Sequence, residues 1–177
     1  MLDVHVIISR ETHPQWVRQC LSSIHIAMAL APFPVMLRTF CGHPGHIGLG
    51  RAEGYDAGNF PWVTCIDDDD LVLPEAFANL SRGLESDKYA VSTLEIEMRN
   101  NAFRIGGKRH HLNAYRRDQI IDHTPWKCCG DVAQVKAIPD DEWFDGTSPG
   151  YLWRVYEGSK ARALRLSHPS ELSAANG

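Results

Sequence analysis

Four consecutive aspartates, Asp67 to Asp70, follow directly on the apolar run Trp62 to Ile66 (WVTCI). A short acidic run is ordinarily a solvated turn, because like charges side by side repel. The placement of this one points elsewhere. It begins where a strand that reads as buried must end, and in open α/β sheets that edge, at a topological switch point, is where ligands bind. Carboxylates gathered there suit a hard divalent cation, Mg²⁺ or Mn²⁺. Such a cation would in turn neutralise a phosphorylated substrate.

Other groups carry weaker signals. Asp140-Asp141-Glu142-Trp143 offers a general base, with Trp143 as an aromatic stacking platform beside it. The same residues read equally well as an exposed acidic turn with the indole in the core, since catalytic carboxylates are not recognisable by type alone. Asp141 and Glu142 are the candidate bases. Residues 104–117 (RIGGKRHHLNAYRR) form the one basic cluster, with Gly106-Gly107 as its expected turn. A solvated hairpin is the favoured reading, and closure over an anion is the other. His110, His111, His123, Cys128 and Cys129 lack Cys-x-x-Cys or His-x-x-x-His spacing, which argues against zinc. Residues 42–50 (GHPGHIGLG) lack the lysine and hydroxyl residue of a phosphate-binding P-loop.

The elements that must position these residues are legible in the first half. Residues 4–9 form a nearly continuous apolar run, as in a strand buried on both faces of a parallel sheet. Thr12 as N-cap and Pro14 in the first turn open a helix to about Leu30, with Val17, Cys20, Leu21, Ile24, Ala27 and Met28 at helical spacing. Residues 33–40 predict a second strand, a Gly- and His-rich loop follows, and a short helix is expected around residues 50–58. Residues 62–66 predict a third strand. Pro74 opens a helix with Ala76, Phe77, Leu80 and Leu84 on one face, ending near Ser86. This β-α-β-α-β-α alternation predicts an α/β sheet with helices on both faces. In the second half, residues 89–98 predict a strand that pairs with 102–105 across Arg99-Asn100-Asn101. Residues 132–138, 151–156 and 162–166 read as short strands or helices.

Length and composition bound the rest. The chain has 177 residues, 44% of them hydrophobic and 23% charged, with a formal net charge of −4. That length predicts one domain, 1–177, able to bury its own core. The charge balance argues against a general nucleic-acid binder, which usually carries a basic excess. No run approaches the roughly 20 apolar residues of a membrane span, and no signal peptide is expected. Five cysteines without framework spacing fit a reducing compartment, so a cytoplasmic location is expected.

Residues 50–58 (GRAEGYDAG), 62–70 (WVTCIDDDD) and Pro74 resemble the GT-A glycosyltransferases of family 2 type. Those enzymes carry an Arg-Asn-x-Gly helix, a strand end of the form x-x-Leu-Asp-x-Asp-Asp, and a proline a few residues later. Arg51 and Asp67 are sixteen positions apart, the family's usual spacing. Residues 4–24 resemble the family's opening strand and helix, and the run WVTCIDDDDLVLPEAFANL is similar to bacterial proteins described as rhamnosyltransferases. The likeness covers residues 3–85 well and the remainder loosely.

The resemblance implies a GT-A-like, mixed but mostly parallel sheet flanked by helices. Residues 1–86 would bind nucleotide-sugar and metal, and 87–177 would serve the acceptor. It implies a nucleotide-diphospho-sugar donor, Mn²⁺ or Mg²⁺ as cofactor, and sugar transfer, with inversion, to an unidentified glycan, lipid or protein acceptor. Asp67 matches the first motif carboxylate, facing the nucleotide's ribose or a metal-bound water; Asp69 matches the metal ligand and Asp70 the acid supporting it. Arg51 matches the donor-side arginine, and His168 a histidine that completes the metal sphere. Two departures stand out. The second strand ends Arg38-Thr39-Phe40-Cys41 instead of in an Asp-rich turn, which leaves Ser9-Arg10-Glu11 to receive the base. Ser148-Pro149 stands ahead of Tyr151-Leu152-Trp153-Arg154, where the family places an acidic pair. Two other classes fit the same residues: a non-catalytic nucleotide- or carbohydrate-binding relative, and a metal-dependent nucleotidyltransferase or phosphohydrolase.

Overall fold

The first half of the chain folds in the alternation that its apolar periodicity predicts. In the computed structural model, which describes residues 1–127 and 130–155, the order is β1 (Leu2–Ile8), α1 (Pro14–Leu30), β2 (Val35–Cys41), α2 (Ile47–Asp56), β3 (Trp62–Asp67), β4 (Leu71–Val72) and α3 (Ala76–Leu84). β1 lies between β2 and β3, parallel to both. Its residues 2–7 are all buried, as a strand covered on both faces requires. The cap of α1 differs from expectation. His13 Nδ1, not Thr12, accepts from the Gln15 amide at 3.2 Å, because the Thr12 hydroxyl donates instead to Asp68 at 2.9 Å.

In the second half, β5 (Ala90–Arg99) and β6 (Ala102–Arg116) pair as an antiparallel hairpin. Asn100 and Asn101 turn it with φ of 50° and 61°, the left-handed pair that a two-residue type I′ connection needs. The expected turn at Gly106-Gly107 is therefore corrected: both glycines lie within β6. α4 (Gly130–Ala137) and β7 (Trp143–Val155) complete the chain as described. The expected element at 162–166 falls outside the described residues.

The seven strands form one sheet in the order β2-β1-β3-β6-β5-β7-β4. β6 and β4 run against the other five, so the sheet is mixed. The carboxyl ends of β1, β2, β3, β5 and β7 consequently share one edge. α1 and α3 cover one face through Cys20, Ile24, Ala27, Ala76, Phe77 and Leu80. The opposite face carries α2 and a smaller cluster of Ala90, Tyr115, Ile138 and Trp143, with Val135 of α4 packed against it. No helix among the described residues is long and apolar enough to cross a membrane.

Candidate functional site

The acidic run turns sharply at the end of β3, and its four side chains divide into two kinds. Asp68 and Asp70 are buried inward. Asp68 accepts from the Ser9 amide at 2.7 Å and from the Thr12 hydroxyl, tying the end of β1 to the end of β3. Asp70 accepts from the Arg154 amide at 2.7 Å and from the Tyr151 hydroxyl at 3.0 Å. Burial pushes the Asp68 carboxyl up to about 6 and that of Asp70 well above the usual carboxylate range. Asp67 and Asp69 are the partly exposed members. Arg154 Nη1 donates to the Asp69 carbonyl at 3.2 Å, so β7 clamps the turn from behind.

α2 brings Arg51 to this edge. The guanidinium is 6% exposed and pairs with Asp67 at 3.3 Å and with Asp131, in the first turn of α4, at 3.1 Å. Burial opposes the Arg51 charge, but Asp131 and Asp67 outweigh it and hold the guanidinium protonated. Burial would likewise raise the Asp131 carboxyl, yet Arg51 and His111 bring it below the usual carboxylate range. The Arg51 Nε has no hydrogen-bond partner among the described residues.

β6 and β5 supply the third wall. The β3–β6 register pairs Trp62 with Arg116 and Val63 with Tyr115; continued along both strands, it sets Asp67 opposite His111. Neighbouring strand residues normally point to opposite faces, but His110 and His111 both meet Glu95. Their Nδ1 atoms lie 2.9 and 2.7 Å from the same Glu95 Oε2. A backbone irregularity accounts for this: Arg109 has φ of 59°, and the pairing jumps from Ser92–Asn113 to Leu94–Lys108. Burial would raise the Glu95 carboxyl, but the hydrogen bonds from His110 and His111 bring it down to about 2. Glycine at 106 admits the buried carboxylate, since a Cβ there would stand 2.6 Å from Glu95 Cγ.

These walls line a partly open cavity of about 20 Å³ that includes Arg51, Asp67, His111, Asn113, Asp131 and Tyr151 among its lining residues. That is room for one water or one ion. Asn113 is 3% exposed, and its Oδ1 has no hydrogen-bond partner among the described residues. Among the described residues, two trios of side chains are close enough to share a cation: Asp67, Asp70 and His111, and Glu95, His110 and His111. In each, the donor atoms lie within 4.8 Å of one another.

The residues singled out in the sequence fall into three groups. Ser9, Arg10, Glu11, Arg51, Asp67, Asp69 and Asp70 come together at the carboxyl edge, where Ser9 touches Asp68 and Arg51 touches Asp67. His168 lies outside the described residues. Asp141 and Glu142 are not brought to the acidic run. They form a 3-10 turn just before β7, whose first residue, Trp143, pairs with Ala90 at the start of β5. Ala90 is level with Tyr115 and hence with Val63, so both acids stand at the opposite sheet edge from Asp67. Trp143 is 6% exposed in the core under Arg109 and offers no open stacking face. Asp145 is occupied by Ser92, Lys108 and Arg109.

Sequence reasoning missed Glu95 and Asp131, and it set His111 aside. His111 failed a test of local spacing because its partners arrive from neighbouring strands, and only the bulge at Arg109 turns it toward them.

No protein-family model and no curated protein sequence matches the chain. Solved structures do. Staphylococcus aureus TarS 1–349 superposes with a TM-score of 0.64 at 12% identity, over 86% of this chain and 60% of that one. The same protein in complex with UDP-GlcNAc gives 0.69 at 11% identity, over 92% and 60%. Its complex with UDP gives 0.61 at 12% identity, over 93% and 64%. The chain thus spans less than two thirds of the TarS chains it matches. At such identity the likeness speaks for the backbone, and the fold of this chain is the GT-A-like mixed α/β fold.

Proposed function

We propose that this chain is a metal-dependent glycosyltransferase that moves a sugar from a nucleotide-diphospho-sugar donor to a separate acceptor. The observation that carries the reading is the acidic turn at the end of β3, with Asp67 and Asp69 partly exposed and Asp68 and Asp70 bonded inward. TarS, whose fold it shares, has been crystallised with UDP-GlcNAc and with UDP. In this reading Asp67 and Asp69 hold Mn²⁺ or Mg²⁺ with Asp70 in support, Ser9, Arg10 and Glu11 flank the nucleotide base, and residues 1–86 form the donor half. The donor set fits a cation: carboxylate oxygens beside Asn113 Oδ1, which has no hydrogen-bond partner among the described residues, and a small cavity between them. Such a cation, when bound, stabilises the charge that a diphosphate gains as it leaves.

Residues 87–177 serve the acceptor, a glycan, lipid or protein. Asp131 takes the place of Asp141 and Glu142 as the candidate base for an inverting transfer, because it lines the cavity that Asp67 lines. Geometry ranks ahead of acidity in choosing a base. The engagement of Asp131 by Arg51 favours a second reading, a nucleotide-binding relative that does not transfer.

A thermal-shift series tests the first reading. UDP or a similar nucleotide should raise the melting temperature in Mn²⁺ or Mg²⁺ and much less in EDTA; ligand at 100 times its Kd stabilises by about 2.7 kcal/mol. Equal stabilisation in EDTA removes the metal. Release of free sugar and nucleoside diphosphate identifies a transferase, whereas nucleoside monophosphate with sugar phosphate identifies a phosphohydrolase. Binding without turnover leaves the second reading.

A further inference from the structure

We propose that His111 is a nitrogen ligand of the cation at the end of β3, held in its ligating orientation by Glu95, so that the site prefers a first-row transition cation to Mg²⁺ or Ca²⁺. The proposal rests on the metal reading above and adds to it a ligand from a different strand. Asp67, His111 and Glu95 lie on β3, β6 and β5, three strands adjacent in the sheet. A ring nitrogen of His111 lies within 4.8 Å of a carboxylate oxygen of both Asp67 and Asp70. Relaxation by about an ångström would bring such atoms to the roughly 2.0–2.2 Å bond lengths of imidazole and carboxylate ligands.

The surroundings of His111 fix which nitrogen is available. Glu95 Oε2 lies 2.7 Å from His111 Nδ1. An ionised carboxylate only accepts, so Nδ1 carries a hydrogen and Nε2 is the ring nitrogen left to face a metal. A ligating histidine that gives its other N–H to a carboxylate is the usual support for a metal site. The ring is also clamped face to face on Tyr151, with centroids 5.2 Å apart and planes 9° from parallel. The hydroxyl of that tyrosine reaches Asp70 at 3.0 Å, so the imidazole and the acid are oriented by one residue.

Two further observations point to a guest between these groups. The ion-sized cavity is lined by both Asp67 and His111. Asn113 lines it as well, with its buried Oδ1 unpartnered among the described residues. An oxygen-only site suits Mg²⁺ and Ca²⁺, and adding imidazole shifts preference toward Co²⁺, Zn²⁺ and, less strongly, Mn²⁺. Glu95 is a positioning residue here, acting through His111. His110, whose side chain is 36% exposed, shares the same oxygen from the outer side and is not assigned as a ligand.

Pulsed electron paramagnetic resonance of Mn²⁺ on the full chain tests this, with and without UDP, using natural-abundance and ¹⁵N-histidine protein. One directly coordinated imidazole should appear as ¹⁴N modulation that converts to ¹⁵N on labelling and vanishes in His111→Gln. Mn²⁺ bound with no histidine coupling, or with coupling that survives His111→Gln, overturns the proposal while leaving the glycosyltransferase reading intact. Mn²⁺ that fails to bind under either condition overturns both. Should His111→Gln fail to fold, the labelled wild-type spectrum still decides whether a histidine ligates, and Glu95→Gln supplies the second variant. That variant should lose roughly 10- to 100-fold in Co²⁺ affinity with a much smaller change for Mg²⁺. Equal losses for the two ions would mark Glu95 as merely structural and overturn its assigned role.

Discussion

Arg51 shows how the environment of a residue bears on a role that a family resemblance implies. The family resemblance implies a donor-binding arginine at this position, and the guanidinium is 6% exposed and committed to Asp67 and Asp131. Its direct work is to hold two carboxylates of the site close together. Removing one partner of a buried pair costs about 3–5 kcal/mol. The two carboxylates here are about one-third exposed, and screening reduces the cost to roughly 2–3 kcal/mol. Arg51→Ala should therefore lower the stability read by urea denaturation by about that amount, and adding Asp131→Asn should recover part of it by removing the charge left unpaired. Wild-type stability combined with loss of nucleotide binding would show instead that Arg51 meets the ligand directly.

At the scale of elements, α2 is the piece that delivers Arg51, and it does so without an apolar face. Its buried residues are Gly48, Gly50, Arg51, Gly54 and Tyr55, so small size and not hydrophobicity brings the helix onto β1. A Cβ at Gly54 would stand 2.7 Å from His5 Cγ. The His5 ring is itself held edge-on to Tyr55 at 4.5 Å and to Phe40 at 6.4 Å, and has nowhere to retreat. Gly54→Ala should push α2 outward, cost about 1–3 kcal/mol, and weaken Mn²⁺-dependent nucleotide binding because Arg51 and Asp67 move apart. A variant with unchanged melting temperature and affinity would show that the helix tolerates the shift. The same helix explains where sequence reading succeeds and fails. α1 and α3 were legible because burying one face of a helix leaves a period in the chain, and β1 and β3 because a strand buried on both faces leaves an apolar run. Asp67 to Asp70 were legible because a buried strand ran straight into them. Glu95 and His111 were not, because one left-handed residue, Arg109, breaks the alternation on which strand reading depends. Asp141 and Glu142 misled because residue type carries no information about which end of β7 they occupy.

For the molecule as a whole, a buried titrating group lies under α2 on β1, next to the edge strand β2. His5 is 1% exposed on β1 between β2 and β3, and neither ring nitrogen has a hydrogen-bond partner among the described residues. Burial, reinforced by the Arg51 charge, pulls its pKa down from 6.5 to about 3. The unfolded chain therefore takes up a proton on this ring below about pH 6.5, while the folded chain holds it neutral until about pH 3. The unfolded state binds more protons across that window, so stability rises with pH there and is lost on acidification, at up to about 1.4 kcal/mol per unit. Asp68 works in the opposite direction. Its raised carboxyl lets the folded chain take up a proton first as pH falls through about 6, which masks part of the histidine effect in any single melting curve. Comparison with His5→Leu, which cannot titrate at this position, removes the masking because Asp68 is common to both chains. Between pH 7 and pH 5, in EDTA, wild type should lose roughly 2 kcal/mol relative to His5→Leu, whatever the absolute stabilities of the two. A stability difference that stays constant over that interval would mean that His5 is protonated in the folded chain, and that α2 lies far enough from β1 to admit the water needed to solvate the charge.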